Sequence, residues 1–410
     1  FRTGVSQQYN VAITNGTEKG NLRLSYTYLD NQPTQYNSSF KKHNFNLTCS
    51  HKVSEKIRVD YSANYMIQDI KNRPYRISRL VTNFNGMAGA FDDVKWMKDN
   101  TITSLGYMNT VYTNDRHLTP DEGYEYNFGA RNLMDEYFWH ILAKQQLETS
   151  NRLIANITPS WEIIDGLTLR GRVATDYTTD KIENKEPNQY SLLLTSEDQN
   201  AGGLYALQNK RDEIFFGDVM LTYFKNLTDK IDLNAMGGWK ARSESAYNAT
   251  VRTSKGLSVD NWYHLNASRS TKETDMKKSE YLKTAFLGTL VLSYDNWVFL
   301  EGTCRQEKTF TLAKGNNSFF YPSVNASFVY TELMKDKKPT WYDYGKFRVS
   351  YGIVGNAPEI YRATQAYTQN SASGYIYNTV DLALGNETIE PETKYEWEFG
   401  LESKFLGNRL

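Results

Sequence analysis

The chain's 410 residues balance 47 Lys and Arg against 47 Asp and Glu, so no net field draws it toward nucleic acid or an anionic surface. Mean hydropathy is −0.63, and no uninterrupted apolar run reaches the roughly 18 residues a membrane helix needs, which excludes an integral helical protein. A β-barrel is not excluded, because only alternate residues of each strand touch lipid, and the 14% aromatic content, with 30 Tyr, 19 Phe and 8 Trp, suits interfacial girdles or sugar-stacking surfaces.

Alternation of apolar and polar residues predicts strands near 6–14, 21–30, 40–51, 57–68, 151–162, 167–179, 212–225, 231–243, 281–294, 297–308, 319–331, 345–354 and 393–405. In the segment 156–177, NITPSWEIIDGLTLRGRVATDY, two alternating runs meet at the tight turn Ile163-Ile164-Asp165-Gly166. Beyond it Leu167, Leu169, Val173 and Tyr177 fall on one face, and Thr168, Arg170, Arg172 and Asp176 on the other. One face suits hydrocarbon and the other water.

The connections follow a fixed parity. Those after the first, third, fifth, seventh and ninth strands are tight (NGTEKG, HKVSEK, IIDG, KNLTDK and YDNW), while those between run long, near 31–39, 69–150, 180–211, 244–280, 309–318 and 355–392. Outer-membrane barrels sort their connections this way, with short periplasmic turns and long extracellular loops. The whole of 1–410 therefore reads as one portion of an antiparallel transmembrane β-barrel, all-β, with its major extracellular loops at 69–150, 180–211, 244–280 and 355–392. The connection 332–344, ELMKDKKPTWYDY, falls on the short side but is longer than its neighbours, and is expected to form a helical turn. Trp161, Tyr223, Phe224 and Trp297 gather at the short-turn rim, and Tyr26, Tyr28 and Tyr177 approach the other. Within the longest loop, Leu80, Val81, Phe84, Met87 and Phe91 at helical spacing predict a small helix over 78–97.

Little in the sequence speaks for catalysis. His43, His51, His117, His140 and His264 are scattered, Cys49 and Cys304 stand alone in strand-like runs, and neither a metal site nor a disulfide is expected. No Walker loop, GxGxxG or GxSxG motif occurs, so no cofactor or activated serine is proposed. Glu122, Glu125 and Asp135 admit a glycosidase pairing, although solvated loop acids are far commoner. The chain is expected to be no enzyme. It opens at Phe1 with no charged n-region and no apolar h-region, so any export signal is expected to have been removed or to lie outside this stretch; its end from Phe405 to Leu410 reads as a strand running into a turn, so a piece of a longer protein is expected.

Several stretches resemble the SusC/RagA family of TonB-dependent outer-membrane transporters of Bacteroidetes. They are FFYPSVNASFVYTE at 319–332, KFRVSYGIVGN at 346–356 and GNETIEPETKYEWEFGLESKFLGNRL at 385–410, supported by 284–310, by GLSVDNWYHLNASR at 256–269 and by the opening hairpins. Two departures are Arg305-Gln306-Glu307, where the family favours a basic-Asp pair, and Val329-Tyr330 in place of the customary Trp.

The resemblance implies a plugged barrel of about 22 strands, of which these thirteen are a contiguous part. Its plug domain would precede Phe1 and receive energy from TonB-ExbB-ExbD. It further implies a SusD-like lipoprotein capping the mouth, a dimer of SusC-SusD pairs, and oligosaccharide cargo, or alternatively oligopeptide. Trp96, Trp139, Trp262 and Tyr263 in the loops are the candidates to stack on sugar or to pack against the cap, set against ordinary loop packing. Outside this class, a non-transporting adhesin barrel and a secreted carbohydrate-binding protein are the alternatives.

Overall fold

Alternating side chains and tight polar turns build a continuous antiparallel meander. The computed structural model describes residues 2–75, 93–108, 131–189, 202–334, 337–365, 367–372, 375–380, 384–407 and 409. Its strands are β1 (Val5–Thr17), β2 (Gly20–Gln32), β3 (Ser39–Lys52), β4 (Ile57–Lys71), β5 (Gln145–Ile164), β6 (Leu167–Glu186), β7 (Leu204–Thr228), β8 (Ile231–Arg252), β9 (Glu273–Tyr294), β10 (Val298–Thr309), β11 (Ser318–Phe328), β12 (Tyr342–Asn356), β13 (Tyr367–Ala372), β14 (Tyr375–Val380) and β15 (Glu392–Phe405). Helices are few and short: α1 (Val94–Asp99), α2 (Arg131–Leu142) and α3 (Tyr330–Met334). Among the described residues no helix is long and apolar enough to cross a membrane.

Thirteen strands form one sheet in sequence order, β1 through β12 and then β15, while β13 and β14 make a separate hairpin between them. The loop parity expected from the sequence holds throughout. Turn chemistry explains the tight side. Gly166 sits at φ +76 with its Cα so near the Phe224 carbonyl that a Cβ would lie 2.1 Å from that oxygen. Asp295 and Asn296 between β9 and β10 both take positive φ, as a two-residue hairpin turn matched to sheet twist requires. On the same side α3 supplies the expected helical turn, beginning at Tyr330, where Thr331 Oγ1 accepts from the Gly345 amide at 3.1 Å and pins the turn to β12.

The two faces of the sheet differ sharply. Register places Val219 of β7 opposite Trp239 of β8, and Trp239 opposite Phe286 of β9; likewise Leu24 meets Leu47, Trp161 meets Leu169, and Val349 meets Phe399. This face is solvent-open, with Val219 50% and Phe286 65% exposed. The other face carries Asn, Thr, Arg and Asp, and it is the more crowded: Asp218 is 2% and Glu307 4% exposed. Polar groups more buried than apolar ones on a single-layer sheet mean that the polar face is concave, the inside-out pattern of a membrane barrel.

Aromatic rings mark both rims of the apolar belt. Tyr26 packs on Phe45 at 5.0 Å and Tyr28 on His43 at 5.0 Å toward the long loops, and Trp297 packs on Phe328 at 5.3 Å and Trp341 on Phe405 at 6.0 Å toward the tight turns. Following paired residues from Val11 through Tyr26, Phe45, Tyr65, Leu153, Tyr177, Glu213 and Ser245 ends on Glu280 of β9. The apolar stretch of β9 lies further on, around Phe286 and Leu290, nearer the tight turn. The belt therefore crosses the strands obliquely, as tilted barrel strands demand.

Several strands run further than their alternation predicts. The loops expected at 69–150, 180–211 and 244–280 shrink because β4 reaches Lys71, β5 begins at Gln145, β6 reaches Glu186, β7 begins at Leu204, β8 reaches Arg252 and β9 begins at Glu273. At several added ends the two-residue rhythm is gone, with polar residues on both faces at Asn184 and Lys185 or at Lys277 and Lys278 and apolar ones on both from Leu204 to Leu207, yet pairing persists. The strand expected over 319–331 stops at Phe328, and the hairpin β13–β14 was not expected within 355–392. The helix expected over 78–97 falls mostly outside the described residues, which show only its end as α1.

Placing a charge on the belt tests the orientation of the faces. Val219→Arg should destabilise the folded protein in bilayers by about 2–4 kcal/mol, measured by reversible urea unfolding, while Thr222→Arg on the wet face should cost far less.

Candidate functional site

The loops at one end of the strands are knit into a layer. After β4, Arg73 reaches Glu148 of β5 with Nε to Oε2 at 2.8 Å, and Asn72 Nδ2 donates to the carbonyls of Asn37 at 2.9 Å and Lys144 at 3.2 Å. Asp93 caps α1 by accepting from the Trp96 amide at 2.9 Å. Helices α1 and α2 then share a small core of Met97, Tyr137, Phe138 and Ile141, with Trp96 packed partly buried against it.

Asp260, between β8 and β9, ties three long connections together. Its Oδ2 accepts from the Tyr107 hydroxyl at 2.6 Å, and its Oδ1 from Asn188 Nδ2 at 2.7 Å. Asn188 is wholly buried, and its backbone amide donates to Asn261 Oδ1 at 3.2 Å. A part-buried carboxylate accepting from two neutral donors in this way ties together loops that are remote in sequence.

The four aromatic candidates occupy different places. Trp262 is 48% exposed and stacks on His264 with ring centroids 5.3 Å apart and planes within 8°. Tyr263 is half-buried, and burial pushes its phenol above the ordinary range. Trp96 leans on the helical core, and Trp139 is 1% exposed. Of the four, Trp262 alone offers an open ring face. Glu122 and Glu125 lie outside the described residues, as does the side chain of Asp135, and among the described residues no cluster of three or more His, Cys, Asp or Glu is placed to hold a metal. Cys49 and Cys304 are both free.

The concave wall below carries two kinds of surface. From β5 to β10 it is a ladder of ion pairs: Arg152 with Asp176 (Nε to Oδ1 2.8 Å), Arg170 and Arg172 with Asp218 (3.3 and 2.7 Å), and Lys283 and Arg305 on Glu307. The Arg172 guanidinium also lies 4.7 Å over the Phe216 ring. From β1 to β5, by contrast, the wall is mostly uncharged, with Asn10, Ser25, Thr27, Asn44, Asn46, Thr48, Ser62, Asn64 and Asn156 at mid-height and Arg23, Met66 and Ile154 set among them. The sequence did not single out Asp260, Asn188 or Asp218. Asp218 had a signal in retrospect, as the lone charge inside IFFGDVMLTYF; Asp260 had none, because its partners come from remote loops.

Two measurements probe the loop layer. Asp260→Ala removes the acceptor of the buried Asn188 amide, costing about 1–3 kcal/mol, and unties Tyr107 from it, so the loops around Tyr107 and Asn188 should become protease-sensitive while the barrel resists. His140, stacked 4.0 Å from the Tyr75 ring, is held below its ordinary value of 6.5 by burial and by Lys144, with Glu186 opposing. The unfolded loop then binds the proton more readily, so loop stability is full above about pH 6.5 and is lost as pH falls below it. Hydrogen exchange of α2, corrected for intrinsic rates, should accelerate at pH 5.5 relative to pH 7.5.

No family model and no curated protein matches the sequence. Solved structures do. All of the chain aligns with 43% of a chain of the RagAB peptide importer in its 'closed-closed' state, with TM-score 0.78 at 18% identity. The ferric-catecholate import receptor Fiu of E. coli K12 gives 0.55 at 10% identity, and the siderophore receptor PiuA of Acinetobacter baumannii 0.52 at 14%; in both, 99% of this chain covers 55% of the other. The chain thus spans less than half the length of the RagAB chain it matches. At such identities the likeness is one of fold: this chain has the antiparallel β-barrel architecture of these importers and receptors.

Proposed function

We propose that the chain is barrel wall in a bacterial outer-membrane importer that takes up oligosaccharides, powered by TonB-ExbB-ExbD and capped by a SusD-like lipoprotein, two such pairs forming the assembly. The observation that carries the reading is the two-faced sheet, with a continuous apolar belt outside and a polar concave wall inside. A solute too large for a porin must cross a membrane that holds no ATP, and a wide, wet lumen within an apolar exterior answers that need. The sugar assignment is supported by the open Trp262 ring, stiffened by its stack on His264 beside the loop knot at Asp260. Flat aromatic faces at a mouth suit pyranose rings. Trp96, Trp139 and Tyr263 are then supports of the mouth rather than its contact surface. Bacteroidetes are the source that the SusC/RagA resemblance suggests.

A second reading, oligopeptide import, is favoured by the TM-score of 0.78 to the RagAB peptide importer, well above the values for the two siderophore receptors. Deleting the gene should abolish growth on one polymeric glycan while sparing growth on its monomer, and the defect should be reproduced by loss of TonB. Growth lost on peptides alone would select the second reading, and an unchanged growth range with lost surface adhesion would select a non-transporting barrel.

A further inference from the structure

The concave wall of β1–β5 is chemically unlike the rest of the lumen. Register sets Asn10 beside Thr27 and Thr27 beside Asn44 in one row, Ser25 beside Asn46 and Asn46 beside Asn64 in the next, and Thr48 beside Ser62 and Ser62 beside Asn156 in a third. The rows also hold Ala12 beside Ser25, Met66 beside Asn44 and Ile154 beside Asn64, and two charges, Arg23 between Thr14 and Thr48 and Arg152 beside Met66. Beyond Asn156 the wall passes into the ion-pair ladder that begins with Arg152 and Asp176.

Some of these groups satisfy one another. Asn10 Nδ2 donates to Thr27 Oγ1 at 2.7 Å, Thr48 Oγ1 to Asn46 Oδ1 at 3.3 Å, and Asn156 Nδ2 to Ser62 Oγ at 2.6 Å. Asn44 and Asn64 make no such bond to the described residues through their amide oxygens, which neighbouring side chains cover.

We propose that this asparagine and hydroxyl panel is the strip of lumen wall along which a neutral oligosaccharide travels, with Asn44, Asn46 and Asn64 as its principal contacts. An amide offers a donor and an acceptor together, and a sugar hydroxyl does the same, so each step along the panel exchanges one hydrogen bond for an equivalent one. The charged panel is unsuited to that role. Its carboxylates are already engaged at 2.7 to 3.3 Å, and a neutral solute has nothing with which to replace a broken ion pair. The proposal rests on the sugar-import reading and gives it a path.

The test uses the complete transporter in its own outer membrane with its energising partners. The probe is the tritiated neutral oligosaccharide released from the polymer on which growth depends. Asn44→Leu, Asn46→Leu and Asn64→Leu together should lower the maximal uptake rate about tenfold, the effect of roughly 1.4 kcal/mol, with the concentration for half-maximal surface binding unchanged. Heat-modifiable gel migration reports that the barrel has assembled; should the triple variant fail to assemble, Asn44→Asp with Asn64→Asp is read the same way. Uptake at the wild-type rate overturns the proposal, as does a loss of rate accounted for entirely by weaker surface binding. Wild-type cells that take up no oligosaccharide overturn the import reading itself, an outcome visible before any variant is made.

Discussion

In hydrocarbon no water satisfies a peptide group, so every N–H and C=O of a crossing strand must find its partner on the strand beside it. The sheet meets this demand with β1 to β12 each paired to the next strand in sequence and β12 paired to β15 across the separate hairpin β13–β14. Pairing of this kind leaves only the side chains to distinguish outside from inside, and a strand does that with a two-residue rhythm. Belt and wet wall are thus one constraint seen from two faces, and the aromatic rims mark where it begins and ends.

Within the lumen the same geometry sorts charge. Asp218 and Glu307 sit where the concave wall crowds its side chains, and each is met by two cations. A carboxylate so enclosed would cost several kcal/mol if left unpaired, so these pairs are better understood as conditions of charge burial than as sources of stability. The asparagine panel requires no such compensation. Its asparagines and hydroxyls are polar without charge and can give up one hydrogen bond for another. Above the wall, the Asp260 knot and the α1–α2 core hold the loops that frame Trp262.

The strands β1 to β4 were legible to within a few residues because apolar and polar side chains alternate along their whole length. The upper ends of β6 to β9 were not, since the two-residue rhythm is lost there, polar on both faces at Lys277 and Lys278 and apolar on both from Leu204 to Leu207, and only backbone pairing marks the strand. Turn parity was visible because short polar connections recur after every second strand, four of the first five of them carrying Asn, Asp or Gly. The loops were read least well. Trp139 and Trp262 look alike in sequence, and burial alone separates them. Helix α2 and the hairpin β13–β14 were hidden inside stretches taken as irregular. Asp260 depends on partners at Tyr107 and Asn188, a relation that no local pattern encodes.

The central claim is that neighbouring residues of one strand face lipid and water in turn. Spin labels placed one at a time from Thr168 to Thr175 of β6, with Cys49 and Cys304 first replaced, measure this in the complete protein in bilayers through collisions with oxygen and with a water-soluble nickel chelate. The account predicts two-residue oscillations in opposite phase, with Leu169, Val173 and Thr175 favouring oxygen and Arg170, Arg172 and Ala174 favouring nickel. Oscillations in the same phase, or equal wetting of both sets, would contradict it.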